Sequence, residues 1–412
     1  MSDGLNMVRL GDVLTLQRGF DLPKKNRQAG NIPLVSSPGI SDFQAEIKVQ
    51  PPAVITGRYG TLGKVFYLEE PCFPLNTTLW VKDFKGNHPK FCKYLLETID
   101  YYSCSDKAAV PGVNRNHLEE LLVRKPDLLE QHKIAHILGT LDEKIELNQK
   151  KNQTLKESSK AIFKSWFVDF DPVRTKAEGR PTGLHSEISD MFPDGLGDSE
   201  IGEIPKGWGQ VKVEDLCDYV SSGGTPARKN PEYWENGEVD WFKTGELLDS
   251  PLLDASEKIT DLGIKKSAAK LWDRHTVLFA IYASPTVGRL GYLTKKGSCN
   301  QAAAGLVAKE DVGMPFLYWT LFNARKELQN IAVGAAQQNI NVGILKTHKC
   351  LRPPANLMRK FSELGLAIES QREILAKENA VITELRDMLL PKLVSGELRL
   401  PNAEKFLEKA GV

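Results

Sequence analysis

The chain has 412 residues, with 54 Lys and Arg against 53 Asp and Glu, and 41% of its residues are hydrophobic. That length predicts two or three domains, and a mean hydropathy of −0.32 with no apolar run of about 18 residues argues against a membrane span. Cys72, Cys92, Cys104, Cys217, Cys299 and Cys350 form no Cys-x-x-Cys pair, which argues against zinc and a disulfide framework and fits a reducing cytoplasm. The start, MSDGLNMVRLGDV, lacks the charged-then-apolar pattern of an export signal.

Residues 1–126 read as a mixed α/β domain, mildly basic, with 16 Lys/Arg against 13 Asp/Glu. Ala53–Thr56 and Val65–Leu68 are rich in β-branched and aromatic residues and predict strands. The turn between them, Gly57–Lys64, carries Arg58, Tyr59, Thr61 and Lys64 on a glycine-rich backbone. Leu75–Val81 predicts a third strand, Phe91–Tyr101 a helix, and Ala108–Asn116 a loop.

Residues 127–171 predict one long helix. Ile134, Leu138, Leu141, Ile145, Asn148, Asn152, Leu155, Ser159, Ile162 and Trp166 recur at 4-3-4-3 spacing, the seam of a helix packed along another helix. At ~1.5 Å per residue, ~38 residues give a rod of roughly 57 Å. Residues 172–205 hold 3 Lys/Arg against 7 Asp/Glu with scattered Pro and Gly and read as a connector.

Residues 206–354 then repeat the opening pattern, with 19 Lys/Arg against 16 Asp/Glu. Trp208–Leu216 echoes Met7–Val13, and Thr276–Arg289 echoes Val54–Lys64. Cys299-Asn300-Gln301 stands for Leu75-Asn76-Thr77, and Ala335–Asn341 for Ala108–Asn114. Residues 355–400 predict a second long helix that stops before Pro391, with a seam at Phe361, Leu364, Ile368, Gln371, Leu375, Glu378, Ile382, Leu385 and Leu389. A tail, 401–412, follows. The expected fold is α+β: two pseudo-repeated α/β domains separated by a long antiparallel two-helix coiled coil, a tandem repeat of about 200 residues.

With FKSWFVDFDP at Phe163–Pro172, PKGW at Pro205–Trp208, LLPKLVSGEL at Leu389–Leu398 and the connector text EGRPTGLHSEISDMFPD, the chain resembles the specificity subunits of type I restriction-modification systems over essentially its whole length. The resemblance implies two target-recognition domains, a central and a distal spacer helix, and no catalytic centre. It implies no cofactor on this chain. S-adenosylmethionine, ATP and magnesium are expected on partners: two modification (methyltransferase) subunits and the restriction (translocase and nuclease) subunits. One departure is that the distal seam has no run like Asn148-Gln149-Lys150-Lys151-Asn152.

The residues agree with a non-catalytic reading. Gln50-Pro51-Pro52-Ala53 and Arg352-Pro353-Pro354-Ala355 lack the acid or amide and the aromatic of an adenine-methyltransferase loop. Arg58–Val65 lacks the first Gly and the hydroxyl of a phosphate-binding loop. His132 and His136 are four apart on a helix, with no further ligand to make a metal site.

What remains suits double-stranded DNA, where Arg and Lys read guanine and phosphate and Asn and Gln read adenine. The candidates are Arg58, Tyr59, Thr61, Lys64, Asn114 and Arg115 in the first domain. In the second they are Arg228, Lys229, Tyr282, Ser284, Thr286, Arg289, Gln337, Gln338, Asn339 and Asn341. Each domain is expected to read one half of a split site, with the rods setting the gap. Ile137, Phe163, Trp166 and Phe167 are the expected uncovered flanks on which modification subunits dock. The competing readings are a coiled-coil scaffold with no DNA role and a specificity domain of a self-contained methyltransferase or nuclease.

Overall fold

The computed structural model describes residues 6–105, 111–199, 202–282, 285–333, 340–400 and 403. The chain divides into two compact units, Met1–Leu147 with Asn379–Val412, and Asn148–Glu378. Each contains one α/β domain and parts of two long helices, Leu128–Phe167 (40 residues) and Ala355–Ser395 (41 residues).

In the first unit, four antiparallel strands lie in the order Thr15–Arg18, Thr78–Asp83, Ala53–Gly57, Val65–Leu68. A smaller sheet joins Gly39–Gln44, Ile32–Ser36 and Phe73–Pro74. The entering strand Met7–Arg9 pairs with the leaving strand Leu122–Arg124, so the domain opens and closes at one place. The helix Pro89–Glu97 starts where His88 accepts the Phe91 N–H and Pro89 fills the first position, a proline site that needs no donor. Its Phe91 and Leu95 share a core with Ile134, Ile137, Leu138, Leu141, Ile382, Leu389 and Leu393. The long helices run antiparallel there, since Asp142 meets Arg386 at 3.0 Å and the Ile145 carbonyl meets Asn379 at 3.2 Å.

The second unit repeats the plan with five strands: Cys217–Ser222, Ala303–Ala308, Val277–Ala280, Leu290–Leu293 and Ser250–Leu252. Its entering strand Gly209–Lys212 pairs with its leaving strand Lys349–Arg352. The 172–205 stretch packs on this core through Val173 and Phe192. Between the long helices the seam is polar. Asn148 Nδ2 donates to Glu378 at 2.8 Å, and Asn152 Nδ2 to the Arg372 carbonyl at 2.9 Å.

Three expectations about the helices are corrected. The distal helix does not stop before Pro391 but runs to Ser395. A proline inside a helix costs ~3 kcal/mol. Leu389, Leu393 and Val394 are buried, and each such burial gives back ~1.5–3 kcal/mol. The distal seam holds at Phe361, Glu378, Ile382 and Leu389 but departs from expectation at two positions. Leu364 is 37% exposed and Gln371 is exposed. Buried instead are Gly365, Glu369 and Arg372, because Glu369 and Arg372 satisfy each other at 2.7 Å. Finally, Ile137, Phe163, Trp166 and Phe167 are not uncovered flanks; all four are buried. Phe167 meets Phe316 edge-on at 5.0 Å, and Trp166 meets Phe192 at 5.4 Å, so core packing consumes them. No helix among the described residues is long and apolar enough to cross a membrane.

Candidate nucleic-acid interface

In the first domain, strand Ala53–Gly57 delivers Arg58 and Tyr59 to a junction of loops. The Arg58 and Tyr59 N–H groups donate to the Thr77 carbonyl at 2.8 and 3.2 Å. The Arg58 carbonyl accepts from Val113 N–H at 3.0 Å, and Gly60 N–H donates to the Pro111 carbonyl at 3.0 Å. The buried Ser37 hydroxyl lies 2.6 and 2.7 Å from the Tyr59 and Thr77 carbonyls. The Tyr59 ring covers Gly112 so closely that a Cβ there would sit 2.5 Å from it. Arg58 stacks over that ring at 4.6 Å, a preorganised guanidinium suited to guanine or phosphate. Lys64 is exposed and Thr61 half-buried at the far side of the turn.

The second domain makes the same clasp from different residues. Ile281 and Tyr282 N–H donate to the Ala302 carbonyl at 2.8 and 3.2 Å, and Ile340 N–H donates to the Ile281 carbonyl at 2.9 Å. Tyr282 therefore occupies the place of Tyr59, Ala302 that of Thr77, and Ile340 that of Val113. The Tyr59–Tyr282 and Val113–Ile340 matches are those of the sequence alignment, whereas the segment around Thr77 moves by one residue. Thr78 N–H meets the Leu75 carbonyl at 2.8 Å, and Ala303 N–H meets the Asn300 carbonyl at 3.1 Å. So Asn300, not Cys299, stands for Leu75. Thr286 and Arg289 are half-buried in the turn, where the Arg289 N–H closes on the Thr286 carbonyl at 3.0 Å.

The remaining candidates separate into groups. Ser284, Gln337, Gln338 and Asn339 lie outside the described residues. Asn114 and Asn341 are exposed, but their side-chain oxygens accept from Asn116 N–H at 3.1 Å and Ile344 N–H at 2.8 Å. Each starts the short helix after its loop, a role for which Asn is favoured and which commits one lone pair of the side-chain oxygen. Arg115 is exposed and reaches the Leu16 carbonyl at 3.5 Å. Arg228 is committed on one side: its guanidinium lies 3.7 Å over the Trp234 ring and pairs with Glu257. Glu257 also meets Lys243 at 2.9 Å, and these two cations hold its carboxyl below the usual range. Lys229 is exposed beside it.

Ser37 and Glu257 carry no motif and were missed. The nearest signals were the Ser36-Ser37-Pro38 stretch and the Trp234 and Trp241 that flank Arg228. The His132 ring lies 4.3 Å from that of His88, tilted at 60° to it. Among the described residues, no three His, Cys, Asp or Glu side chains stand together as a metal site.

The sequence profile described as the type I restriction modification DNA specificity domain matches residues 2–157 and again 205–373. The chain belongs to the type I restriction-modification DNA specificity family. Its two matches coincide with the two halves of the repeat, and it is a DNA specificity subunit. It is 27% identical over 359 residues to the type I restriction enzyme HindI specificity subunit of Haemophilus influenzae, covering 75% of this chain and 77% of that one. It is 26% identical over 306 residues to the MjaIX specificity subunit of Methanocaldococcus jannaschii, covering 72% and 65%. The crystal structure of the type I restriction-modification S subunit from M. genitalium superposes with a TM-score of 0.60 at 15% identity, covering 96% of this chain and 97% of that one. At that identity it supports this specificity-family fold alone.

Proposed function

We propose that each recognition domain reads one half of a bipartite DNA target through its clasped turn, and that the long helices set the unread gap. The observation that carries this reading is the repeated clasp, which holds Arg58-Tyr59 in the first domain and Ile281-Tyr282 in the second at equivalent places, the second turn then adding Thr286 and Arg289. Arg228 and Lys229 act on phosphate. The chain performs no chemistry and holds no cofactor. Methylation with S-adenosylmethionine belongs to two modification subunits, and ATP- and magnesium-dependent translocation and cleavage to restriction subunits.

Docking of the modification subunits is supported by a stripe on the distal helix. Ile374, Val381 and Met388 are 56%, 61% and 44% exposed and recur every seven residues, the spacing of a face that takes another helix. The test is methylome sequencing of cells that carry the chain with its modification subunits. The expected motif is bipartite, and Arg58→Met and Arg289→Met relax opposite halves. A contiguous motif, or relaxation of the same half by both variants, overturns the reading. A salt-independent gel shift on mixed DNA counts against it too.

A further inference from the structure

We propose that Asp249, Arg325 and Gln329 are positioning residues for DNA reading by the second domain, a brace that fixes the Thr286–Arg289 turn from behind. The inference rests on the reading of that turn as a DNA-reading element. No sequence motif marks any of the three.

The helix Met314–Val333 passes beneath the turn. Gln329 Nε2 donates to the Val287 carbonyl at 2.7 Å, inside the turn itself. Arg325 grips both oxygens of Asp249, one of them at 2.9 Å. Asp249 in turn holds the strand that leaves the turn. Its N–H donates to the Leu290 carbonyl at 2.8 Å, and its carboxylate accepts the Leu290 N–H at 3.0 Å. Asp249 does this from a left-handed backbone, φ +57°, a conformation that Asp tolerates better than most residues.

The fit is close. Gly288 has φ +85°, and a Cβ there would lie 2.9 Å from Arg325 Cγ and 3.0 Å from Gln329 Nε2. The equivalent Gly63 of the first domain has φ +79°, but its nearest neighbour is the Tyr101 ring at 3.8 Å. The first turn is thus backed by an aromatic ring in ordinary contact, and the second by a charged, hydrogen-bonded clamp. A turn whose side chains read base edges must hold them to within a fraction of an ångström. Loss of the clamp therefore lowers discrimination at the second half-site and leaves the first untouched.

The experiment is methylome sequencing of the full complex with Gln329→Met and Arg325→Met, with melting temperature measured on the same preparations. Gln329→Met keeps the side-chain volume and removes the donor. We expect about tenfold weaker discrimination at the half-site opposite to the one relaxed by Arg58→Met, with the other half-site unchanged. Gln329→Lys restores a donor to the Val287 carbonyl and is expected to recover most of it. Unchanged ratios at both half-sites, or equal loss at both in step with a lowered melting temperature, overturn the brace. Thr286→Val and Arg289→Met separate the two readings. If they relax the second half-site and Gln329→Met does not, the brace is wrong. If they do not, the turn is not the reading element, and the brace falls with it.

Discussion

Asn152 and Arg372 hold each other across the helix pair: Asn152 Nδ2 donates to the Arg372 carbonyl at 2.9 Å, and Arg372 Nε donates back to Asn152 Oδ1 at 3.1 Å. Arg372 is 1% exposed and also pairs with Glu369 at 2.7 Å, while Tyr292 of the recognition domain donates to the same Glu369 oxygen at 2.7 Å. The guanidinium thus ties both helices and the sheet to one point. A buried charge tolerates this because the Glu369 carboxylate and Asn152 meet it.

Removing one member should therefore cost more than removing the pair. Arg372→Leu leaves the Glu369 carboxylate buried and uncompensated and is expected to cost about 3–5 kcal/mol. Arg372→Leu with Glu369→Leu is expected to cost clearly less. Denaturant unfolding of both variants checks this, and equal losses would show that the pair is not energetically coupled.

Stability is expected to fall toward acid pH through His88. Burial, His132 and Lys90 hold its imidazole below the ordinary value, and its Nδ1 must stay unprotonated to accept the Phe91 N–H. A group depressed in the folded state favours folding above its unfolded pKa of about 6.5 and loses that contribution as pH falls below it. His88→Asn keeps a capping oxygen that does not titrate. Its melting temperature should drop less than the wild type's between about pH 7.5 and 5.5. Parallel pH curves would remove His88 from the acid response.

Trp166 and the distal stripe should separate folding from assembly. Trp166 is 4% exposed, so Trp166→Ala is expected to lower stability by about 3–5 kcal/mol rather than only to loosen a partner. Ile374→Ser, Val381→Ser and Met388→Ser together remove exposed apolar surface and should leave melting nearly unchanged while weakening binding of the modification subunits. Co-purification and melting, measured side by side, decide it. A triple variant that assembles normally would place the docking surface elsewhere.

The gap between half-sites should follow helix length. Asn148 faces Glu378 and Asn152 faces Arg372, so extending one helix alone would break the polar register. One heptad added to both, after Lys150 and after Leu375, keeps the seam in phase. It lengthens the pair by ~10 Å at ~1.5 Å per residue, or about three base pairs. The methylome of this variant should show unchanged half-sites and a longer gap. An unchanged gap rejects the ruler.

The tandem architecture, the central helix and the two turns are legible in the sequence because they are written in local order. The 4-3-4-3 spacing from Ile134 to Trp166 allows few conformations besides a packed helix, and Gly57–Lys64 and Thr276–Arg289 share a turn with Tyr that ends Gly-Lys or Gly-Arg, although the second is longer. Tertiary structure decided what local order leaves open. Periodicity gives a helix its faces but not which neighbouring stripe is covered. Leu364 stays exposed while Arg372 is buried, since Glu369, Asn152 and Tyr292 meet its charge from other parts of the chain. Phe163, Trp166 and Phe167 read as spare apolar surface until Phe316, Phe361 and Phe192 arrived from up to 200 residues away. The register of Asn300 against Leu75 became visible only through the backbone bonds that close each clasp. Gln329 escaped notice because a half-buried amide acquires its role from the carbonyl it meets, and nothing near it in the chain names Val287.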